Sequence, residues 1–232
     1  MRAVILAGGK GTRLRPYTLV LPKPLIPVGD VPVIESLLKW LRRNGIRNMR
    51  VTIGYLGHLI KALCGDGSQW DMSIEYSEEP EPLGTIAPLL LLKHELQDTF
   101  LVTNGDLITD MNLREFIQFH KSHGGVLTVA VKEKSVKIDL GVLESEDGIV
   151  SRFREKPQLQ FQASMGIYCM EPKILEYIPV GMPFGFDDLM HTLMSADVPI
   201  HVYPHAGRWM DIGREEDLFE AQKMLRALRA ND

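Results

Sequence analysis

The chain has 232 residues, 45% of them hydrophobic and 24% charged, enough for one large globular domain, or two modest ones, with a sizeable core. Its 26 basic and 30 acidic residues leave a net charge of -4, with no basic excess for a nucleic-acid partner, and two cysteines, Cys64 and Cys169, are too few for a disulfide framework. The longest apolar stretch, Ala87 to Leu92, falls far short of a bilayer span, and the N-terminus turns glycine-rich too early for a secretory signal, so a soluble cytoplasmic protein is expected.

In chain order, Ala3 to Leu6 reads as a buried strand followed by the glycine-rich loop Ala7 to Arg13. Ile34, Leu37, Leu38 and Leu41 recur at helical spacing, and Asn44-Gly45 ends that helix. Met49 to Ile53 is a second strand, Leu59 to Leu63 a short helix and Ser73 to Tyr76 a third strand. The spacing predicts a helix over Gly84 to Leu96, a strand over Phe100 to Thr103 ending in Asn104-Gly105-Asp106, a helix over Leu113 to His120 and a strand over Val126 to Val131. This alternation predicts an α/β fold, a doubly wound, Rossmann-like mixed sheet flanked by helices, with ligand loops at the strand C-termini. In the second half, Gly141 to Leu143, Ile149 to Phe153 and Met165 to Met170 read as strands, and Phe186 to Met194 and Glu215 to Ala227 as helices. We read an α+β extension, residues 133–232, added to a nucleotide-binding half, residues 1–132, within a single domain.

The loop Leu6-Ala7-Gly8-Gly9-Lys10-Gly11-Thr12-Arg13 suits phosphate. Glycines let the backbone approach a ligand, successive N–H groups form an anion-binding concavity, and Arg13 adds a guanidinium fork. It is neither a Walker A loop nor a dinucleotide fingerprint, since Arg13 stands where the third glycine would be. Lys23 lies between two prolines on a stiff segment that would aim it. Asp106 ends a buried strand and Asp211 sits in Trp209-Met210-Asp211-Ile212-Gly213. One carboxylate from each half would suit Mg²⁺, which takes one or two carboxylates plus phosphate oxygens. Glu155-Lys156-Pro157 offers a second clamp for a phosphate-bearing substrate. The seven histidines show no metal-ligand spacing and read as surface residues; His120 and His123 lie three apart on a helix end with nothing else to join them.

Together these segments resemble the sugar nucleotidyltransferases. LAGGKGTRLRP, LPKPLIPVGDVPVIE, EPLGTIAPL, VTNGD, FREKP, GIYCMEP and WMDIG occur in the family's order across nearly the whole chain. The resemblance implies transfer of a nucleoside monophosphate from an NTP to a sugar 1-phosphate, releasing pyrophosphate. It implies that Leu6, Ala7, Gly8, Gly9, Gly11 and Thr12, with Pro82, Gly84 and Thr85, bind the nucleotide. Arg13, Lys23 and Asp106 would be catalytic, and Asp106 and Asp211 would hold Mg²⁺. Gly141, Glu155, Lys156 and Ser164 would bind the sugar phosphate. The segment Glu81 to Thr85 resembles guanylyltransferases of the mannose 1-phosphate and manno-heptose 1-phosphate type and lacks the glutamine that reads a pyrimidine in thymidylyl enzymes. Two departures stand out: Ala87, where many relatives carry glycine, is expected to crowd the base or shift the helix start, and Ser164 replaces a common asparagine. The chain stops soon after the Glu215 helix, so a catalytic domain without a C-terminal left-handed β-helix is expected. Other NTPs, a non-sugar phosphate acceptor, and a non-catalytic sugar-nucleotide binder remain alternatives, and a homo-oligomer is left open.

Overall fold

The computed structural model describes residues 1–229. In chain order the elements are β1 (Arg2–Ala7), β2 (Pro27–Val28), β3 (Val31–Pro32), α1 (Val33–Arg43), β4 (Asn48–Ile53), α2 (Gly57–Cys64), β5 (Ser73–Glu78), β6 (Phe100–Asn104), β7 (Leu107–Thr109) and α3 (Leu113–His123). The second half adds β8 (Leu127–Lys137), β9 (Gly141–Glu146), β10 (Ile149–Glu155), β11 (Gln158–Met170), α4 (Phe186–Ser195), β12 (Ile200–Pro204), β13 (Trp209–Asp211) and α5 (Glu215–Arg229).

The central sheet has seven strands in the order β12-β8-β11-β6-β1-β4-β5. β1 pairs in parallel with β4 and β6, and β4 with β5. β11 runs antiparallel to both neighbours, β6 and β8. Ala3, Val4 and Ile5 are fully buried, the unbroken apolar run of a strand covered on both faces. One face packs on α1, where Ile34, Leu37, Leu38 and Leu41 are all 0–1% exposed. Each such side chain contributes roughly 1.5–3 kcal/mol on burial. On the other face, Ile86, Leu89, Ile174 and Leu189 pack against Val4, Phe100, Val102 and Val129. A third, smaller core joins Leu14, Ile26, Val28, Val33, Ile108, Ile212, Ala221 and Leu225.

Three expectations need correction. Gly84 to Leu96 is not an α-helix but a 3-10 segment, Ala87–Leu92. Gly84 has a left-handed φ of 85°, Ile86 and Ala87 donate to Phe184 O, and Pro88 sits at the start, so the chain is committed to α4's loop before a helix can nucleate. Ala87 is 3% exposed within the apolar cluster, so its methyl is core packing rather than a base-pocket wall. Third, the histidines are not all on the surface. His120 is 1% exposed, and His123 stacks on His201 with centroids 3.5 Å apart, so His201 is the residue that joins the pair.

The strands of the second half extend further than their apolar runs. Beyond the core, Lys132–Lys137 of β8 and Gln158–Ala163 of β11 continue to pair as a largely polar, exposed two-stranded arm, on which β9 and β10 form a separate hairpin. The pairs β2–β3 and β7–β13, and the edge strand β12, are too short to show in periodicity.

Candidate functional site

The strand order reverses between β1 and β6, and an open α/β sheet binds ligands at that point, outside the strand C-termini. The loops there are tied together. Gly105 N donates to Leu6 O (3.0 Å) and Tyr55 N to Gly8 O (3.3 Å). Leu6 and Ala7 end β1. Gly9 is open to solvent, with nothing near its missing side chain. Gly11 has φ 60°, and a Cβ there would meet Thr18 at 2.9 Å and Lys23 Cβ at 3.2 Å. Glycine is thus required by both backbone and space at this position. Thr18 Oγ1 donates to Gly11 O (2.9 Å), and Thr12–Leu14 follows as a 3-10 turn that carries Arg13.

Lys23 reaches across to Asp106 and donates to its Oδ2. Both side chains are 14% exposed, so the pair is largely out of water. Asp106 Oδ1 is buried and accepts no hydrogen bond. Asp211 ends β13, where it pairs with Leu107, and the following Ile212 N donates to Asp106 O (2.9 Å). The two aspartates, far apart in sequence, are therefore held on adjacent backbones. A Cβ at Gly213 would lie 3.3 Å from Asp211 Oδ2 and 3.7 Å from Arg13 Nη1, so the guanidinium converges on the same place. A buried carboxylate oxygen without a donor, beside a second aspartate, fits an oxygen-ligated divalent cation. No group of three or more His, Cys, Asp or Glu among the described residues is arranged for a metal.

The structure brings together the loop from Leu6 to Arg13, Lys23, Asp106 and Asp211. Pro82, Gly84 and Thr85 line the neighbouring segment, where Phe186 N donates to Thr85 Oγ1 (2.9 Å) and a Cβ on Gly84 would sit 2.8 Å from Phe184 O. Those two residues anchor the segment to α4. Gly141, Glu155 and Lys156 are grouped apart, on the hairpin: Glu155 pairs with Gly141, and Lys156 is exposed with φ 45°. Ser164 sits at the inner end of the arm and accepts from Gly166 N (3.3 Å), and Gly166 packs on Asn104 at the end of β6.

Several neighbours escaped the sequence reading. Glu79 follows β5, and its carboxylate lies where a Gly8 side chain would be, so a larger residue at Gly8 would have to displace it. Leu83 N donates to Glu79 Oε2 (3.2 Å). Burial pushes this carboxyl above its ordinary range, partly offset by that N–H. A Glu-Glu-Pro run at a strand end was the available signal. Asp217 accepts from Gly213 N (2.9 Å) and Arg214 N (2.6 Å), fixing the turn after Asp211. Tyr17 OH donates to Glu215 Oε1 (3.1 Å), linking the glycine-loop side to α5.

A glycine loop, an aimed lysine and two aspartates at the switch point of a mixed α/β sheet define a phosphate-handling protein. Residues 2–227 match the family Nucleotidyl transferase, and the chain belongs to that family. It is 37% identical over 226 residues to "Probable mannose-1-phosphate guanylyltransferase 1" of Oryza sativa subsp. japonica, covering 94% of this chain and 62% of that protein. It is 33% identical to "Mannose-1-phosphate guanylyltransferase catalytic subunit beta" of Xenopus tropicalis (97% and 64% covered). A "UTP--glucose-1-phosphate uridylyltransferase" of Synechocystis sp. is 32% identical (95% and 62% covered). The chain thus spans under two thirds of these relatives' length. Among solved structures, HddC from Yersinia pseudotuberculosis shares the fold, with a TM-score of 0.77 at 24% identity, covering 97% of this chain and 99% of that one.

Proposed function

We propose that this protein is a Mg²⁺-dependent sugar 1-phosphate nucleotidyltransferase of the cytoplasm, using GTP with mannose 1-phosphate or a manno-heptose 1-phosphate. The carrying observation is the convergence of the Gly8–Arg13 loop, Lys23, Asp106 and Asp211 at one switch point. An oxygen of the sugar phosphate attacks the α-phosphorus of the NTP. The new P–O bond forms as the α–β bridging P–O bond breaks, and pyrophosphate leaves with the electron pair. The nucleophile is already an anion at neutral pH, so no general base is needed.

The chain's own residues supply position and charge. The N–H groups of the Gly8–Thr12 loop hold the NTP phosphates, and Arg13 and Lys23 offset their negative charge. Lys156 holds the incoming phosphate and Glu155 accepts from sugar hydroxyls, so two mutually repelling anions meet between cations. Asp106 and Asp211 would hold Mg²⁺, which supplies Lewis-acid stabilisation of phosphate charge when bound. Glu79 supports the guanine reading. Guanine offers N1–H and N2–H donors side by side, and a carboxylate accepts both, whereas uracil and thymine present two carbonyls beside one N–H.

The test is a matrix of NTPs against sugar 1-phosphates with pyrophosphate release as readout. GTP with a manno-configured sugar phosphate is expected to be fastest. UTP ahead with glucose 1-phosphate would move the assignment toward the Synechocystis relative. No release with any pair would leave a binding protein.

A further inference from the structure

Asp211 sits at the very end of its support. β13 is a strand of three residues, pairs only with β7 and stops at Asp211 itself. Among the described residues no donor holds the Asp211 carboxylate, so its aim depends on the backbone that carries it. That backbone is pinned at three successive amides. Ile212 N donates to Asp106 O (2.9 Å). Gly213 N (2.9 Å) and Arg214 N (2.6 Å) both donate to one oxygen, Oδ2, of Asp217. Asp217 N in turn donates to Arg214 O (3.1 Å), which closes the turn.

The third core aims Asp217. This residue lies in the first turn of α5, four and eight positions before Ala221 and Leu225, both buried in that core. Residues at that spacing share a helix face, so seating Ala221 and Leu225 turns Asp217 toward the Asp211 turn. An acid three residues into a helix commonly accepts the N–H of the residue that caps it. Here the same oxygen takes a second N–H, from Gly213, only two residues beyond Asp211. Hydrogen bonds to an ionised acceptor are roughly twice as strong as neutral ones, so this hold is firm. Gly213 is also where the charges meet: a Cβ there would lie 3.3 Å from Asp211 Oδ2, 3.5 Å from Asp217 Oδ2 and 3.7 Å from Arg13 Nη1. On the same turn of α5, Glu215 accepts from Tyr17 OH, so one helix end braces both the Asp211 turn and the glycine-loop side.

We propose that Asp217 is a positioning residue for cation binding, which holds Asp211 beside Asp106 by pinning the amides of Gly213 and Arg214. The inference rests on the two-aspartate site proposed above. Asp217 acts through the backbone, its own Oδ2 being filled by two N–H groups.

The experiment is Mn²⁺ binding to the full chain without nucleotide, read from the electron paramagnetic resonance signal of the free ion. Mn²⁺ suits the same carboxylate and water ligands as Mg²⁺. Asp217→Ala is expected to weaken Mn²⁺ binding roughly ten- to hundredfold, the range for groups that orient a metal's ligands. Asp217→Asn keeps an oxygen that can accept both N–H groups, and its affinity should stay much nearer the wild type. Circular dichroism checks folding; should Asp217→Ala fail to fold, Asp217→Ser, whose hydroxyl falls short of the two amides, takes its place. Glu220→Gly is the control for plain helix stability, since it loosens α5 at an exposed position outside the turn. It should lower Tm and leave Mn²⁺ affinity unchanged. Equal losses of affinity in Glu220→Gly and Asp217→Ala would overturn the positioning role. An unchanged affinity in Asp217→Ala overturns it as well and leaves the two-aspartate site standing. A wild type that binds no Mn²⁺ overturns both.

Discussion

Lys23 rests on one oxygen of Asp106 and leaves the other buried and bare. The lysine thus neutralises half of a carboxylate whose free oxygen faces the place proposed for a cation. Asp106→Asn and Asp211→Asn should each lower kcat by about a hundredfold or more, because each removes a charge beside a polyphosphate. Both should keep the wild-type circular dichroism. Near-normal Mg²⁺-dependent turnover in the two variants would remove the two-aspartate site from the mechanism.

Arg13 and Lys156 should divide between the substrates. Arg13 converges with Asp211 on Gly213, whereas Lys156 belongs to the hairpin. A hydrogen bond to a charged group is worth about 1.5–3 kcal/mol, roughly ten- to hundredfold in affinity. Lys156→Ala should raise KM for the sugar phosphate by that factor, and Arg13→Ala should impair NTP use and kcat. Steady-state kinetics with each substrate varied separates them, and an equal effect of Lys156→Ala on both substrates would contradict the division.

Glu79→Gln tests base reading. The amide keeps the size and one acceptor but places a donor against guanine's N–H groups, so kcat/KM for GTP should fall roughly tenfold or more relative to UTP. An unchanged GTP-to-UTP ratio would show that Glu79 serves only to brace Gly8 and Leu83.

Acid sensitivity should originate far from the nucleotide loop. His120 Nδ1 faces Thr128 Oγ1 (2.7 Å) and its Nε2 faces Glu171 Oε1 (3.1 Å), with His201 and Lys121 also nearby. Burial holds His120 and His123 below the ordinary histidine value, only partly offset at His120 by Glu171. The unfolded chain therefore binds protons, below about pH 6.5, that the folded chain refuses. The stability these residues confer is complete above that pH and is lost as pH falls through their lowered values. Tm should drop across that window, and His120→Gln should flatten the drop; a parallel pH profile for the variant would place the sensitivity elsewhere.

The first half of the chain was more legible in the sequence than the second. The β1 loop, Lys23 between prolines, and Asp106 at a strand end are each local signals, and the structure places them where a switch point requires. What pairs Asp211 with Asp106 is a two-strand ladder of three residues, β7–β13, too short for any periodicity. Glu79 had only the Glu-Glu-Pro run to mark it, because its place over Gly8 brings together the segments after β5 and β1, which only the sheet order does. The arm was read short because its outer residues are polar, and polar strands pair without an apolar signature. His120 was misplaced because a histidine at a helix end looks solvated until β8 and β12 close over it.

The third core has a consequence for how the protein loses activity. Leu14 just after the glycine loop, Ile26 beyond Lys23, Ile108 beyond Asp106 and Ile212 beyond Asp211 meet there with Ala221 and Leu225 of α5. Arg13, Lys23, Asp106 and Asp211 each lie within three residues of a side chain in that small cluster, while the Gly8–Gly11 loop and Asp106 also continue from β1 and β6. A cluster of this size can open as its own cooperative unit at a lower free energy than the whole domain. In rising denaturant the catalytic centre should come apart first, leaving a seven-stranded domain that is still folded and already inert.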